Sequence, residues 1–567
     1  MKGPKLVPLS LLVVISSHLF AEDVRILPLG DYRYLEVEEI SISSMRIPPR
    51  FATPVVAAEL ERRSASVPGY PEPRSGKNRE GTAPAPVSLF ADLGFSFATM
   101  NDPNLGSAIS TQKYIANPVG PGSWVPGGQQ FLDYSSLYEL EQLPSLLSVG
   151  IQAQSEHFAI LFNPVLRASM LELLTEYNGT NFPSNPVRFD VNFPYRGYAG
   201  YWSDELELRI TRDKLNLGPG RWSTLTLNKN VPYFDYVKAA LRFPKLEVSA
   251  YYVRLNPILS PDESDYLDAI YDGPEPNLEP NTGMEKVNRE RAKSLTVGRL
   301  TWEPAPWLTI AVTQNILLGG RAPQLTELNP FIVFHNLFED GLYGVPATVA
   351  FGLVPVRGVY LYGEWLLYDL TVADEVGNLT SPGAGAYQAG LTLLSNPYFS
   401  LGPGRFRLDS EWTYASPWVY NKYTSYRKFT TRFVYVEPFD GRPWVDFPLG
   451  FYRGPDCWEL NTLLSYGKPG SWDVSLHWQL TEKGEIDLYG FGQDSDYAHI
   501  ESFPINGLLS GTPAITNVLR LGAYWYPVPK LRIDAWAQYV TVQNAGHVPG
   551  AFQSWPDFGM KAVWSIY

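Results

Sequence analysis

The feature that most constrains this fold is an alternation of apolar and polar residues, in runs of about ten, repeated along most of the chain. In Trp472 to Leu480, W-D-V-S-L-H-W-Q-L, every second side chain is apolar, and Leu531 to Tyr539 repeats the pattern. Because successive side chains of a strand point to opposite faces, each run predicts a strand with one apolar and one polar face. The polar faces carry both signs of charge, as Arg407 and Asp409 do in R-F-R-L-D-S-E-W-T-Y.

The connections between these runs alternate in length. Gly467 to Ser471 is short, whereas Asn256 to Ser294 is long and polar. A transmembrane barrel has this organisation, because short periplasmic turns and longer external loops join its strands. If both ends of the wall lie on the periplasmic side, the number of strands is even, about eighteen. This count requires Lys428 to Val436 to be a hairpin arm within a long loop, from about Pro417 to Asp456.

We therefore predict an all-β fold: a large antiparallel transmembrane β-barrel of about 18 strands, with a short N-terminal helical periplasmic segment. The alternative is a secreted β-sandwich or propeller. Either would also contain alternating strands, but neither explains the regular succession of short and long connections.

The first residues have the pattern of an export signal. Lys2 and Lys5 precede an apolar run from Leu6 to Phe20, and the small residue Ala21 follows. The run is shorter than the ~20 apolar residues of a membrane-spanning helix. We predict a cleaved signal peptide at residues 1–21 and a location in the bacterial outer membrane; an uncleaved anchor is the alternative.

The segment between the signal and the barrel is predicted to be periplasmic. Residues 22–86 contain a helical part and a polar, Pro-rich linker. A helix is predicted from Pro54 to Arg63, because Thr53 is a suitable N-cap and proline suits the first helical turn. The alternating pattern begins at Val87, so residues 87–567 are assigned to the barrel.

Charge and motif content exclude several functions. Lys and Arg number 45 and Asp and Glu 58, and the resulting net charge of −13 disfavours nucleic acid as a partner. The single cysteine, Cys457, excludes an intrachain disulfide and a cysteine metal cluster. The sequence has no phosphate-binding G-x-x-x-x-G-K loop, no G-x-S-x-G elbow and no H-E-x-x-H helix. We predict a non-enzymatic protein with no catalytic residues, no cofactor and no metal.

Two weaker candidates for cation binding remain. His335 and Glu339 would meet at helical spacing, although a histidine that donates to a loop carbonyl is the commoner state. The acidic stretch from Asp262 to Asp268 offers oxygen ligands but lacks the glycine and terminal glutamate of a calcium loop. We favour a solvated external loop there.

The pentapeptide L-G-P-G-R occurs twice, at Leu217 to Arg221 and at Leu401 to Arg405. Glycine supplies a positive φ and proline fixes φ near −65°, so both copies are predicted to be tight turns. We place both on the periplasmic rim, after about the fourth and the twelfth strand. A phosphate-binding role is disfavoured, because neither copy begins a helix.

Aromatic residues cluster in F-P-Y-R-G-Y-A-G-Y-W, Phe193 to Trp202. Aromatic rings in an external loop stack on sugars, whereas the same residues in a barrel wall form the interfacial girdle. The sequence leaves both interpretations open. The candidate glycan-contacting loop aromatics are Tyr195, Tyr198, Tyr201 and Trp202, which we expect in an external loop.

Several short motifs carry a family resemblance. R-D-K-L-N-L-G-P-G-R-W is followed by N-K-N-V-P-Y-F-D, and later by G-G-R and N-P-F. In this order they resemble the Wzi-type capsule assembly family of bacterial outer-membrane proteins, and the segment from Tyr32 is similar to that family's pre-barrel helix. The positions that match the motifs are Arg212, Gly218, Pro219, Gly220, Asn230, Pro232, Phe234, Asp235, Gly319, Gly320, Arg321, Asn329 and Pro330.

The resemblance implies an eighteen-stranded outer-membrane barrel whose outer loops associate with capsular polysaccharide. We therefore expect a barrel that binds or organises surface polysaccharide, with outer-membrane lipid and the polysaccharide as partners, and as a monomer. The alternative is a diffusion porin or solute channel, for which a lumen of mixed charge is equally suitable. An enzyme housed in the barrel is the third possibility.

Overall fold

The computed structural model describes residues 32–55, 87–99, 101, 145–168, 180–182, 196–259, 292–332, 342–369, 384–395, 404–420, 426–434, 444–486, 488, 505–506 and 508–566. They form a closed antiparallel β-barrel of 18 strands, which confirms the predicted fold class. The first nine strands are β1 Val87–Ala98, β2 Leu147–Gln154, β3 Phe158–Asn163, β4 Arg196–Trp202, β5 Leu206–Asp213, β6 Phe234–Phe243, β7 Leu246–Leu255, β8 Lys293–Ala305 and β9 Leu308–Gly319. The last nine are β10 Ala347–Val356, β11 Val359–Asp369, β12 Ala384–Leu394, β13 Arg405–Ala415, β14 Cys457–Lys468, β15 Trp472–Lys483, β16 Ala514–Val528, β17 Leu531–Gln543 and β18 Phe552–Ile566.

The first and last strands close the wall. β1 and β18 pair from Ala91 opposite Ile566 to Ala98 opposite Gly559. Each of the other wall strands pairs with its neighbours in the order of the sequence. Closure leaves no free sheet edge. A free edge would be unstable in a lipid bilayer, because the hydrocarbon core contains no water to hydrogen-bond with unpaired backbone groups.

The wall is apolar outside and polar inside, as the alternating runs predict. On β16 the outward side chains of Leu519 and Leu521 are 51% and 56% exposed. On β13 the inward carboxylates of Asp409 and Glu411 are 0% and 1% exposed. Exposed leucines and buried charges reverse the pattern of a water-soluble protein and suit a wall that faces lipid.

The N-terminal helix forms where the family resemblance suggested, not where the capping pattern predicted. α1 spans Tyr32–Ser43. The helix predicted from Pro54 is wrong at its start, because Pro54 and Val55 are not helical and Ala52–Thr53 pairs as a strand with Asn216–Leu217. Residues 56–63 and the predicted signal peptide lie outside the described residues. A second short helix, α2, spans Leu325–Leu328.

Within the described ranges, no helix combines the length and apolar character needed to cross a membrane. The connection between β13 and β14 contains a two-stranded sheet of Thr430–Val434 and Trp444–Pro448. This confirms that the run near Lys428 is a hairpin arm and not a wall strand.

The placement of the first L-G-P-G-R copy on the periplasmic rim is wrong. A short turn already joins β4 to β5, so residues 214–233, which follow β5, belong to the end of the barrel with the long connections. Gly218 there has a φ of +151°, and a Cβ would lie 2.6 Å from the inward Glu364 carboxylate. The copy is therefore folded into the lumen. Of the second copy, Gly404 and Arg405 are described, and they begin β13.

The two faces of β15 offer a direct test of the wall. We expect Leu476→Lys, which places an ammonium group on the lipid face, to destabilise the barrel by about 2–4 kcal/mol. Ser475→Lys, one residue away, directs the same charge into the half-exposed lumen and should cost much less. Urea unfolding of the protein reconstituted in lipid vesicles measures both values. Equal destabilisation by the two substitutions would contradict the assignment of the faces.

Candidate functional site in the barrel lumen

An N-terminal plug, residues 32–55, occupies the short-connection end of the lumen. Two turns at that end contact it: the Gly358 N–H donates to the Ile42 carbonyl at 3.1 Å, and the Ile47 N–H donates to the Pro306 carbonyl at 2.9 Å. Ile42 of the helix is buried in one cluster with the wall residues Ala311 and Tyr360, so the helix lies inside the barrel and not beneath it. A periplasmic pre-barrel segment was predicted, but its insertion into the lumen was not.

Buried ion pairs connect this plug to the wall. Glu38 of α1 accepts from Arg50 Nε at 2.8 Å and also pairs with Arg407 of β13. Arg407 in turn donates from Nε to Asp409 at 2.6 Å. Arg405, at the start of β13, pairs with Glu39 at 2.9 Å. Two adjacent helix carboxylates thus neutralise the arginines that β13 directs into the lumen.

The two helix carboxylates differ in their titration. Burial alone raises the pKa of Glu38, but the Arg407 and Arg50 guanidinium groups outweigh it and lower the pKa from 4.5 to about 2. For Glu39, burial outweighs the attraction of Arg405 and Arg407, so its pKa is raised above 4.5. Glu38 is therefore held as a carboxylate, whereas ionised Glu39 is only partly compensated.

A second lumenal element, which we call the inner loop, comprises residues 214–233. Its backbone donates to two wall carboxylates. The Arg221 N–H donates to Glu411 at 2.6 Å, and the Ser223 N–H reaches the same carboxylate at 3.3 Å. The Leu225 N–H donates to Glu364 at 2.8 Å. Backbone N–H groups thus satisfy the hydrogen-bonding needs of Glu411 and Glu364 in the interior. Guanidinium groups do the same for the buried carboxylates of Glu38 and Asp409.

The inner loop also contacts the long connection between β13 and β14. The Asn228 side-chain amide donates to the carbonyls of Pro448 at 2.8 Å and Leu449 at 3.2 Å. The Asn228 backbone N–H donates to Leu449 as well, at 2.7 Å. Plug, inner loop and this connection fill the lumen along β5 to β14, where inward charged side chains are buried: Glu207, Arg209, Arg299, Glu364, Arg407, Asp409, Glu411 and Glu459.

The other side of the lumen is less filled. We call the inward face of β15 to β18 the lumenal groove. Arg520 lies over the Trp536 ring at 4.7 Å, and Arg532 lies over the Tyr524 ring at 4.8 Å. The Arg532 side chain is 32% exposed. At the short-connection end the groove widens into a cavity of about 260 Å³, lined by Tyr526, Pro529, Lys530, Arg532, Asp534, Lys561, Val563 and Ser565.

Small residues give the groove its room. Gly522 of β16 and Ser475 of β15 are register partners. Gly559 of β18 lies beneath the Trp536 indole, since a Cβ there would be 2.6 Å from the ring. Larger side chains at these positions would fill the space or displace the indole. At its edge, the groove meets the inner loop where Trp222 stacks on His477, with centroids 5.5 Å apart and planes 6° from parallel.

This arrangement can bind a hydroxyl-rich or anionic chain. Aromatic rings supply flat apolar faces, and Arg520 and Arg532 supply several N–H donors beside them. Asp534 accepts from Arg532 at 2.7 Å, so that carboxylate is already compensated. The groove therefore combines stacking surfaces with cationic donors. Among the described residues, no group of three or more His, Cys, Asp or Glu side chains could hold a metal ion. His335, Glu339 and Asp262 to Asp268 lie outside them.

The family-motif residues of the inner loop, and Phe234 at the start of β6, make structural contacts. Asn230 donates to the Trp222 carbonyl at 3.3 Å, and Pro232 and Phe234 are buried. A Cβ on Gly220 would meet the Ser223 carbonyl at 1.7 Å, so only glycine fits there. Together with Gly218 and Pro219, these residues shape the loop and do not line the groove.

Arg212 and Asp235 form a pair on the rim. They are register partners on β5 and β6, joined by bonds of 2.6 and 2.7 Å, and the Tyr233 ring lies 4.4 Å from the guanidinium carbon. Both alternate with inward residues and therefore face outward. Gly319 is the last residue of β9, and Gly320, Arg321 and the Asn329-Pro330 pair follow that strand; all of them lie away from the groove.

The placement of the candidate aromatics in an external loop is wrong for three of them. Tyr198, Tyr201 and Trp202 belong to wall strand β4, where Trp202 is opposite Glu207 of β5 at the short-connection end. Tyr201 packs against the lipid-facing Phe158 with ring centroids 5.1 Å apart. Tyr201 is thus a lipid-facing wall residue, whereas Tyr198 and Trp202, 5% and 3% exposed, are wall residues buried on the lumenal face. Tyr195 lies outside the described residues.

The groove residues Arg520, Arg532 and Trp536 were not among the predicted site residues. One signal was present: in L-R-I-D-A-W-A-Q-Y a tryptophan occupies the polar phase of the alternation, between Asp534 and Gln538. An indole that faces the lumen among charged residues is out of place in a purely solvating surface.

No protein-family model and no curated protein matches the sequence. Solved structures do match the fold. Wzi of Escherichia coli, an outer membrane protein involved in group 1 capsule assembly and a carbohydrate-binding β-barrel, superposes with a TM-score of 0.53 at 13% identity, covering 95% of this chain and 98% of that one. OprD of Pseudomonas aeruginosa has a TM-score of 0.38 at 9% identity, with 85% and 95% covered. The likeness to Wzi supports the fold of an outer-membrane β-barrel.

The plug carboxylates form a matched pair for mutation. We expect Glu38→Gln to destabilise the protein by about 3–5 kcal/mol, because it leaves Arg50 and Arg407 buried without their shared partner. Glu39→Gln should cost clearly less, since burial already disfavours the ionised form of Glu39. Urea unfolding in lipid vesicles at neutral pH gives both values, and the reverse order would contradict this account of the network.

Acid should loosen the plug through Glu38. Because the folded-state pKa is below the ordinary value, the stabilisation is complete above about pH 4.5 and is lost as the pH falls toward about 2. We expect pepsin to cleave residues 32–55 faster as the pH falls, relative to its cleavage of an unfolded peptide at the same pH. Glu38→Gln should show a smaller pH step and Glu39→Gln a step like that of the parent protein. An unchanged step in Glu38→Gln would assign the acid sensitivity to other carboxylates.

Proposed function

We propose that this protein is a non-enzymatic outer-membrane barrel that binds or organises surface polysaccharide. The observation that carries the proposal is the division of the lumen. Most of it is filled by three elements joined through buried ion pairs and amide-to-carboxylate bonds, and the remainder is a groove of aromatic rings and arginines. Such a groove suits a sugar chain, because aromatic faces stack on the apolar faces of sugar rings and guanidinium groups donate to hydroxyl or carboxylate oxygens.

The comparison with known structures is compatible with this proposal. Wzi of Escherichia coli is a carbohydrate-binding barrel of capsule assembly, and nearly the whole of each chain is covered in the superposition. At 13% identity the likeness concerns the fold, so the polysaccharide role of this chain rests on its own groove. Capsule assembly, a cleaved export signal and a monomeric state belong to the same proposal.

The alternative function is a diffusion porin or solute channel. The half-exposed groove favours it, because the groove opens into the cavity at the short-connection end and is lined by charged side chains. Measurement of conductance in planar bilayers separates the two functions. We expect no large steady current through the filled lumen; a stable ohmic conductance would overturn the polysaccharide proposal in favour of the channel.

Substitution of the groove tryptophan tests glycan binding directly. We expect Trp536→Ala to weaken binding of polysaccharide extracted from the source cells by about fivefold to tenfold, the loss of roughly 1 kcal/mol of stacking. Trp536→Phe should retain most of the affinity. Trp525→Ala is the matched control, because Trp525 on the neighbouring strand faces lipid and is 56% exposed.

The binding measurement has a clear negative outcome. Isothermal titration with the protein in detergent gives the affinities, and heat-modifiable migration in gels shows that each variant is folded. If the parent protein and Trp525→Ala do not bind the polysaccharide, or if Trp536→Ala binds it as well as they do, the groove is not its site. A deletion strain that retains all of its surface glycan would argue against the cellular role.

A further inference from the structure

A segment beyond β9 lies on the outer face of the barrel wall. Residues 320–332, which we call the overhang, contain α2. Gly298 of β8 faces outward, and a Cβ there would lie 3.1 Å from the Pro330 Cα. Gln314 of β9 also faces outward, and its side-chain amide donates to the Ile332 carbonyl at 2.9 Å. After β9 ends at Gly319, at the end of the barrel with the long connections, the chain turns back along the outer surface of β8 and β9.

The overhang has a defined conformation. Arg321 and Glu327, 6% and 2% exposed, form an ion pair. Glu327 also accepts from the Gln324 N–H in a capping box at the start of α2. The Phe331 N–H donates to the Asn329 side chain at 3.1 Å. These bonds fix the direction of the side chains that the overhang presents.

Those side chains are large and apolar. Leu325 is 85% exposed, Phe331 73% and Leu328 40%. Three such groups on a segment this short would be costly in water, at roughly 25 cal/mol for each Å² of apolar surface. Their exposure points to an apolar environment outside the barrel.

The position of the overhang along the barrel axis identifies that apolar environment. A membrane-spanning strand needs about 9–11 residues. On β9 the outward face is uncovered only from Leu308 to Val312, because Ile316 and Leu318, which also face outward, are 3% and 1% exposed. On β18, by contrast, the exposed apolar face extends from Phe558 to Ile566. The bare wall below the overhang is too short to span the bilayer, so the hydrocarbon region must reach the overhang.

We propose that the overhang is inserted in the outer leaflet, where Leu325, Leu328 and Phe331 contact lipid acyl chains. This role is independent of polysaccharide binding in the lumen. Gly298 makes the insertion possible, because its lack of a side chain lets Pro330 approach the wall.

Site-directed fluorescence in lipid vesicles tests the proposal. The native Cys457 is buried, so a cysteine introduced at the surface can be labelled selectively. We expect labels on Leu325→Cys and Phe331→Cys to be quenched by nitroxides on lipid acyl chains and protected from aqueous iodide. Val312→Cys, on the bare wall, is the lipid-exposed reference, and Pro549→Cys, in an exposed loop at the same end, is the aqueous reference.

Two results would overturn the proposal. Labels at Leu325 and Phe331 that respond like the Pro549 label would place the overhang in water. Oxidation of Phe331→Cys to a disulfide-linked dimer in vesicles would mean that a second copy of the chain covers this surface.

The supporting glycine has its own matched control. We expect Gly298→Leu to displace the overhang and to abolish acyl-chain quenching at Phe331, with quenching at Val312 retained. Ala250→Leu, at the outward register partner of Gly298 on β7, should leave quenching at Phe331 unchanged. Persistent quenching at Phe331 in Gly298→Leu would show that the approach of Pro330 to the wall does not position the overhang.

Discussion

The pairing of β1 with β18 is the constraint on which the rest of the structure depends. A sheet in lipid has no water to satisfy its edges, so it is stable only when the last strand meets the first. Closure fixes which side of every strand faces lipid, and therefore directs the polar side chains of all strands into one enclosed lumen. The interior charges are thus a consequence of the closed wall, and they must be compensated within it.

Compensation explains the contents of the lumen. Arg407 requires carboxylates, which Asp409 and Glu38 supply, whereas Glu411 and Glu364 accept from backbone amides of the inner loop. The plug and the inner loop are therefore held by the charges that the wall buries, together with apolar packing against the wall, as for Ile42 in the plug and Leu225 in the inner loop. Along β15 to β18 the wall supplies its own partners, as in Arg532 with Asp534. No inserted segment is required there to neutralise this pair, and a half-exposed groove is left.

Features that depend on local periodicity can be predicted from this sequence. Features that depend on contacts between distant segments cannot. Strand faces, the even strand number and the hairpin arm near Lys428 follow from alternation and parity. A Gly-Pro-Gly turn, however, can lie either on the rim or in a loop within the lumen. The local sequence therefore predicts the rim for Gly218, whereas the structure has it in the lumen. Aromatic wall residues such as Tyr201 resemble loop aromatics when the strand is short. Arg520 and Trp536 meet across two strands, and their pairing depends on register, which no local pattern encodes.

The motif that ends in Asn329-Pro330 shows why a loop sequence that resembles a family motif does not by itself indicate a ligand site. Turn residues after a barrel strand can lead the chain over the lumen or down the outer wall, and the local sequence is compatible with both. What decides is a residue on another strand: the outward Gly298 removes the side chain that would exclude Pro330. A turn whose apolar residues face outward then contacts lipid, whereas the inner loop, held by Glu411 and Glu364, contacts the lumen. The side of the wall to which a loop returns therefore determines the partners available to it.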